Sequence, residues 1–155
     1  MNIIFSLLFM TFSISAIASP ESKLYVEIKN DDICIYTNDP KSDYYNGRIY
    51  LYMGEVHTEL AYQSSYNATY HHIKIPKSFA DCIAIKNSNF KHNIPYDINL
   101  DMNKAYSQRI CVSKPNGKIQ LTKVVDGYTC GKEKYDYSGK NIFEKIITWI
   151  KSLLI

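Results

Sequence analysis

The chain is 155 residues long with a net charge of +3, its 18 basic and 15 acidic residues mixed throughout. That length suits one domain with a real core, and the small mixed charge excludes a nucleic-acid footprint and a long-range steering field. Its 6 glycines form no Gly-rich phosphate loop, whereas its 14 tyrosines stand out.

Residues 1–18 carry no charged side chain, are rich in Ile, Leu, Phe and Met, and close on Ala16-Ile17-Ala18. That small-x-small ending is a signal-peptidase pattern, and the apolar run is shorter than the ~20 residues of a membrane span. Residues 1–18 are therefore expected to be a signal peptide cleaved after Ala18, with an uncleaved anchor as the competing reading. Ser19-Pro20-Glu21 follows without a cysteine, so no lipid is attached at that point.

Lys23 to Lys29 alternates, with Leu24, Val26 and Ile28 facing in, and Asn30-Asp31-Asp32 reads as a turn. A strand is expected at Ile33 to Thr37, a loop from Asn38 to Gly47, and a strand from Arg48 to Met53. On that strand Ile49, Leu51 and Met53 oppose Tyr50 and Tyr52. Glu59 to Tyr70 is ambiguous: Leu60 and Tyr62 suit a short edge strand, and Ser64 to Thr69 reads as loop. Further strands are expected at His72 to Ile75, stopped by Pro76, and at Cys82 to Ile85. A polar loop then runs to Pro95.

Tyr96 to Val125 carries the clearest pattern. Tyr96, Ile98 and Leu100 share one face, and Gln108 to Val112 and Lys118 to Thr122 flank Lys114-Pro115-Asn116-Gly117. Proline fixes φ and the next two residues tolerate positive φ, as a short hairpin loop requires. The sum is about seven or eight short strands with turns roughly every 8–12 residues and no crossover helices. This predicts an all-β domain over 19–125, an Ig-like antiparallel β-sandwich.

Residues 126–140 read as a connector. Residues 141–155 have helical spacing: Ile142, Ile146, Trp149, Ile150 and Leu153 share a side, with Phe143, Ile147 and Leu154 adjacent. Asn141 and Glu144 stand close to a capping box. This C-terminal amphipathic α-helix docks on the sandwich, lies in a membrane interface as a peripheral contact, or meets a partner; it is too short to span a bilayer.

Cys34, Cys82, Cys111 and Cys130 all follow the leader, and an even count in an exported chain reads as two disulfides. Of the three connectivities that four cysteines allow, Cys34–Cys82 and Cys111–Cys130 is preferred. The first ties two early strands and the second pins the segment after the hairpin. Zinc competes poorly, because no pair has C-x₂-C spacing and the histidines do not interleave with the cysteines.

No catalytic constellation is visible. Adjacent His71 and His72 point to opposite faces of a strand, His57 and His92 fall in loop-like sequence, and the serines lack a nucleophile elbow. Asp31, Asp32, Asp97 and Asp101 are accounted for by turns and strand alternation. Asn67-Ala68-Thr69 fits a glycosylation sequon, which matters only in a eukaryotic secretory route. What remains is aromatic display. Tyr50 and Tyr52 project from a strand, and Tyr44, Tyr45, Tyr62, Tyr66 and Tyr70 sit in or beside loops. Tyrosine suits recognition through contact area, low entropy cost and a polar tip; the competing reading is that half or more of these rings cover the core's edges.

Val26 to Tyr36 (V-E-I-K-N-D-D-I-C-I-Y), the Cys82 segment, and the hairpin from Tyr106 to Val125 with N-G-K-I-Q-L-T-K-V resemble a family of small exported proteins. These are the periplasmic immunity lipoproteins associated with bacterial type VI secretion. The resemblance covers Leu24 to Val125 through short motifs; the chain departs from the family in lacking a lipobox cysteine and in its extra C-terminal helix. It implies a non-enzymatic periplasmic protein with no cofactor, whose partner is a cognate protein toxin, the secreted effector. The other expectation is a membrane-associated envelope or host-surface protein acting through residues 141–155.

Overall fold

The computed structural model describes residues 22–140 and, beyond them, Ile146, Ile147 and Ile150. The expected signal peptide, residues 1–18, lies outside the described residues. The described residues form ten strands: β1 Ser22–Lys23, β2 Tyr25–Lys29, β3 Asp32–Tyr36, β4 Arg48–Glu55, β5 Gln63–His71, β6 Ile83–Ile85, β7 Pro95–Asp101, β8 Ala105–Ser113, β9 Gln120–Val125 and β10 Thr129–Lys134. They form a seven-stranded sheet, ordered β10-β9-β8-β7-β4-β5 with β1 beside β8, and a three-stranded sheet, β2-β3-β6. Apart from the two-residue parallel pairing of β1 with β8, every pairing is antiparallel. The domain is all-β, and the division of seven against three differs from the roughly four against three of a constant-type Ig sandwich.

Alternation builds the core. Val26 and Ile28 stand opposite Ile35 and Ile33, which in turn face Ile83 and Ile85. From the larger sheet Ile49, Leu51, Met53, Tyr96, Ile98, Leu100, Tyr106, Ile110 and Leu121 meet them in one buried cluster. Period two puts every second side chain on the shared face, so burying that face also fixes strand register. The expected turn at Pro115 to Gly117 is a single 3-10 turn, with φ +52° at Asn116 and +80° at Gly117.

Both preferred disulfides are present, Cys34–Cys82 and Cys111–Cys130. The second joins β8 to β10, strands with β9 between them in the sheet order, yet its Cα atoms are 5.6 Å apart. Two strand spacings in a flat sheet come to about 9.6 Å. The β9–β10 hairpin therefore curls over the sheet, helped by a register irregularity between Cys130 and Lys134. Thr122 lies buried at this bend, with no partner for its hydroxyl among the described residues.

Three expectations need correction. Ser64 to Thr69 is not loop: it lies inside β5, which pairs with β4 along its length, while Leu60 and Tyr62 precede the strand. His72 to Ile75 is not a strand, because His72 turns out of β5 with φ +56° and the chain runs irregularly toward Pro76. Residues 126–140 are not a connector. Asp126 and Gly127, at φ +51° and +84°, turn the chain into β10. Beyond it, buried Tyr137 hydrogen-bonds through its hydroxyl to Thr122 O at 2.9 Å and pairs with the free edge of β2 at Val26. This segment closes one side of the sandwich.

No bounded α-helix occurs among the described residues. Ile142, Phe143, Trp149 and Leu153 of the expected helix lie outside them. Ile146, Ile147 and Ile150 are described, with helical backbone and relative exposures of 46, 53 and 45%.

Candidate functional site

The smaller sheet covers one face of the larger one; the opposite face carries the polar and aromatic residues of its alternation. Register sets them in rows. Thr69, Tyr50, Asp101 and Ala105 lie side by side on β5, β4, β7 and β8, followed by Asn67, Tyr52, Asn99 and Ser107. Gly54, Asp97 and Arg109 make the third row, with Ser64 beside Gly54. A register irregularity between Met53 and Gly54 marks where β5 bulges.

Tyr62, from the loop before β5, folds back onto this third row. A Cβ at residue 54 would lie 2.8 Å from Tyr62 Cε2, so glycine is what lets the ring rest on the strand. Burial raises the Tyr62 hydroxyl pKa, and Asp97 adds to the rise, while hydrogen bonds to Ser64 and Asn99 act against it. Tyr62 thus reaches across β4 to β7, yet stays 48% exposed.

At the far end of that row, Arg109 grips Asp97 with both teeth of the guanidinium fork. Nε–Oδ1 is 2.6 Å and Nη2–Oδ2 is 2.7 Å. Its Nη1 donates to Gly127 O at 2.7 Å, and Tyr128 places its ring centroid 5.9 Å from the guanidinium carbon. Bidentate, charge-assisted pairing of this kind fixes orientation as well as adding energy. The β9–β10 turn is thereby tied to β8, and Tyr128, 49% exposed, borders the face.

The predicted tyrosines divide. Tyr50, Tyr52 and Tyr62 share the outward face. Tyr44, Tyr66 and Tyr70 instead pack against the core from the other side, and burial raises the Tyr70 pKa. Tyr44 donates its hydroxyl to Ile73 O, and exposed Tyr45 pairs with Arg48 across a loop. Those four leave the candidate surface: the three inward rings shield the rim of the core, and Tyr45 lies on its own turn.

A groove of about 520 Å³ adjoins Tyr62 and includes Glu55, His57, Ser64, Ser65 and Lys91. Glu55 accepts from Lys91 at 2.8 Å, His57 Nε2 lies 3.1 Å away and the Tyr96 hydroxyl 3.3 Å away. Lys91 foremost holds the Glu55 carboxyl below its ordinary pKa. The serine hydroxyls are engaged elsewhere. Ser64 Oγ lies 3.2 Å from Met53 O, 3.0 Å from Tyr66 O and 2.9 Å from Asn67 Oδ1, and Ser65 Oγ is 3.4 Å from Met53 O. This is an ion-pair cluster without a poised nucleophile. His71 and His72 are both exposed, and no group of three or more His, Cys, Asp or Glu is arranged to hold a metal among the described residues.

Sequence reasoning missed Gly54, Asp97, Asn99, Arg109 and Tyr128 as parts of this surface. The first four were legible as outward positions of β4, β7 and β8. Tyr128 was legible too, because Val124-Val125-Asp126-Gly127-Tyr128 carries the Asp-Gly signature of a hairpin turn. No protein-family model, curated protein or solved structure matches the chain.

Proposed function

We propose that the protein is an exported, non-enzymatic binding protein that captures a protein toxin on the outer face of its larger sheet. In this reading it acts in the periplasm as an immunity protein against a type VI secretion effector. The single observation that carries the reading is the row structure of Tyr50, Tyr52, Tyr62, Asn67 and Asn99 on the outer sheet face. Tyrosine and amide side chains make large, low-entropy contact areas with adaptable hydrogen bonding. The two disulfides support export, since such bonds persist in oxidising compartments. The resemblance of Val26 to Tyr36 and the Tyr106 to Val125 hairpin to periplasmic immunity proteins supplies the partner class.

The platform works by occlusion. Its Asp97–Arg109 pair is internally neutralised, and Arg48 and Asp101 stand beside Tyr50 at one end, so over the rest of the face the partner meets rings, amides and hydroxyls. Co-purification of the exported chain with the product of the adjacent gene tests this directly, alongside protection of cells expressing that product. Loss of both capture and protection in a Tyr52→Ala, Tyr62→Ala variant is expected; capture by the variant at wild-type strength contradicts the reading.

The exposure of Ile146, Ile147 and Ile150 favours a second activity, peripheral membrane contact through residues 141–155. A chain ending at Lys140 is expected to stop sedimenting with anionic vesicles while still capturing the toxin.

A further inference from the structure

A β-sheet edge presents unpaired N–H and C=O groups, and natural proteins blunt such edges with short strands, charges, bulges or a covering segment. Among the described residues four strands end the two sheet orders, β10, β5, β2 and β6, and three of these ends are treated in this way. β6 is three residues long. β10 carries Lys132, Glu133 and Lys134 and an irregular register. The free edge of β2 is met by Tyr137, whose carbonyl accepts from Val26 N at 3.3 Å. The fourth, β5, carries its bulge near its start, between Ser64 and Tyr66, and from Tyr66 onward runs without proline, lysine, arginine or a carboxylate, with no other strand pairing its outer edge among the described residues.

The sequence of β5 says what fits there. Beyond the bulge, Tyr66-Asn67-Ala68-Thr69-Tyr70 reads nearly the same in both directions about Ala68. Antiparallel pairing of this strand with its own copy, about a two-fold axis at Ala68, sets Tyr66 opposite Tyr70 and Asn67 opposite Thr69. The small Ala68 side chains then meet on the axis. Paired residues lie on the same face, so the two tyrosine pairs fall on the inward side and the two amide–hydroxyl pairs on the outward side. Aromatic pairs and hydroxyl-bearing pairs both favour cross-strand association, and no like charges oppose each other.

We infer that β5 is a self-pairing edge: two copies of the chain join antiparallel at Tyr66 to Tyr70, forming one continuous sheet across a two-fold homodimer. The interface is isologous, so it closes at two copies rather than growing into a filament. Dimerisation extends the outward face across the axis and sets two Tyr50–Tyr52 platforms side by side. It is independent of what those platforms bind.

The test is the oligomeric state of the full exported chain by sedimentation velocity over a dilution series. The wild type is expected as a dimer that dissociates on dilution. An Asn67→Lys, Thr69→Lys variant sets lysine opposite lysine twice, at exposed positions, and is expected to weaken the dimer roughly tenfold or more. An Asn67→Asp, Thr69→Asp variant does the same with carboxylates, and an equimolar mixture of the two restores a dimer by opposite-charge pairing. Retention of both disulfides and of the wild-type circular dichroism spectrum shows that the variants are folded. A wild type that stays monomeric at millimolar concentration, a lysine variant that dimerises like the wild type, or a mixture that stays monomeric overturns the proposal.

Discussion

Tyr62 occupies the space above Gly54 that any other residue's side chain would need, with its Cε2 2.8 Å from the position of a Cβ there. The same Cβ would also press on the backbone carbonyl of Gln63, which cannot swing away as a ring can. Gly54→Ala is therefore expected to cost about 1–3 kcal/mol and to expel Tyr62 from the sheet. Denaturant unfolding measures the first effect. Quenching of tyrosine fluorescence by acrylamide measures the second, with Tyr62→Phe as the reference variant.

The Arg109 fork is a test of geometry rather than charge. Its side chain is 37% exposed and that of Asp97 is 27% exposed, so solvent screens part of the attraction. Arg109→Lys keeps the charge and loses the bidentate match and the bond to Gly127, with an expected cost of about 0.5–2 kcal/mol. Hydrogen exchange at the β9–β10 turn should rise more than exchange at β7, because the turn loses its tether while β7 keeps both neighbouring strands.

What the sequence disclosed follows from how each strand earns its place. β7 and β8 alternate aliphatic and polar residues and were legible, as were Pro115 to Gly117. β5 was hidden because its inward residues are Tyr66, Ala68 and Tyr70, which carry no aliphatic alternation. β10 was hidden because Thr129 to Lys134 buries little of itself and is held by β9 and by Cys130. His72 to Ile75 alternated convincingly and still failed, since the left-handed turn at His72 removes it from the sheet. Tyr50 and Tyr52 were legible by side, from alternation with Ile49 and Leu51, whereas the inward facing of Tyr66 and Tyr70 follows only from their register opposite Met53 and Ile49.

Asp39 predicts an acid-side transition. Its carboxylate accepts from Lys41 N at 2.8 Å, from Lys104 Nζ at 3.0 Å and from the Tyr106 hydroxyl at 2.9 Å. The Lys41 backbone bond first, then Lys104 and Tyr106, hold its pKa down to about 2 from an ordinary 3.8. A folded pKa below the unfolded one gives stability that is present above 3.8 and lost as pH falls through about 2. Asp39→Asn should flatten the fall in unfolding midpoint between those values. An unchanged acid profile contradicts the assignment.

The two disulfides should be unequal. Cys34–Cys82 spans a sequence separation of 48 and Cys111–Cys130 one of 19. Each paired Cys→Ser replacement is expected to cost about 2–5 kcal/mol, the former by roughly 0.8 kcal/mol more from loop-closure entropy. Urea unfolding of the two double variants gives the comparison, and a reversed order would show that native packing around Cys111–Cys130 outweighs chain entropy.

Titration calorimetry of the exported chain against the product of the adjacent gene, the proposed toxin, tests the central claim most directly. Tyr52→Ala, Tyr62→Ala should weaken binding about tenfold or more, as truncated tyrosines at an interface centre do, while Tyr45→Ala leaves it unchanged. Equal affinities for the wild type and the Tyr52→Ala, Tyr62→Ala variant would contradict an outer-face platform and move the binding site elsewhere on the molecule.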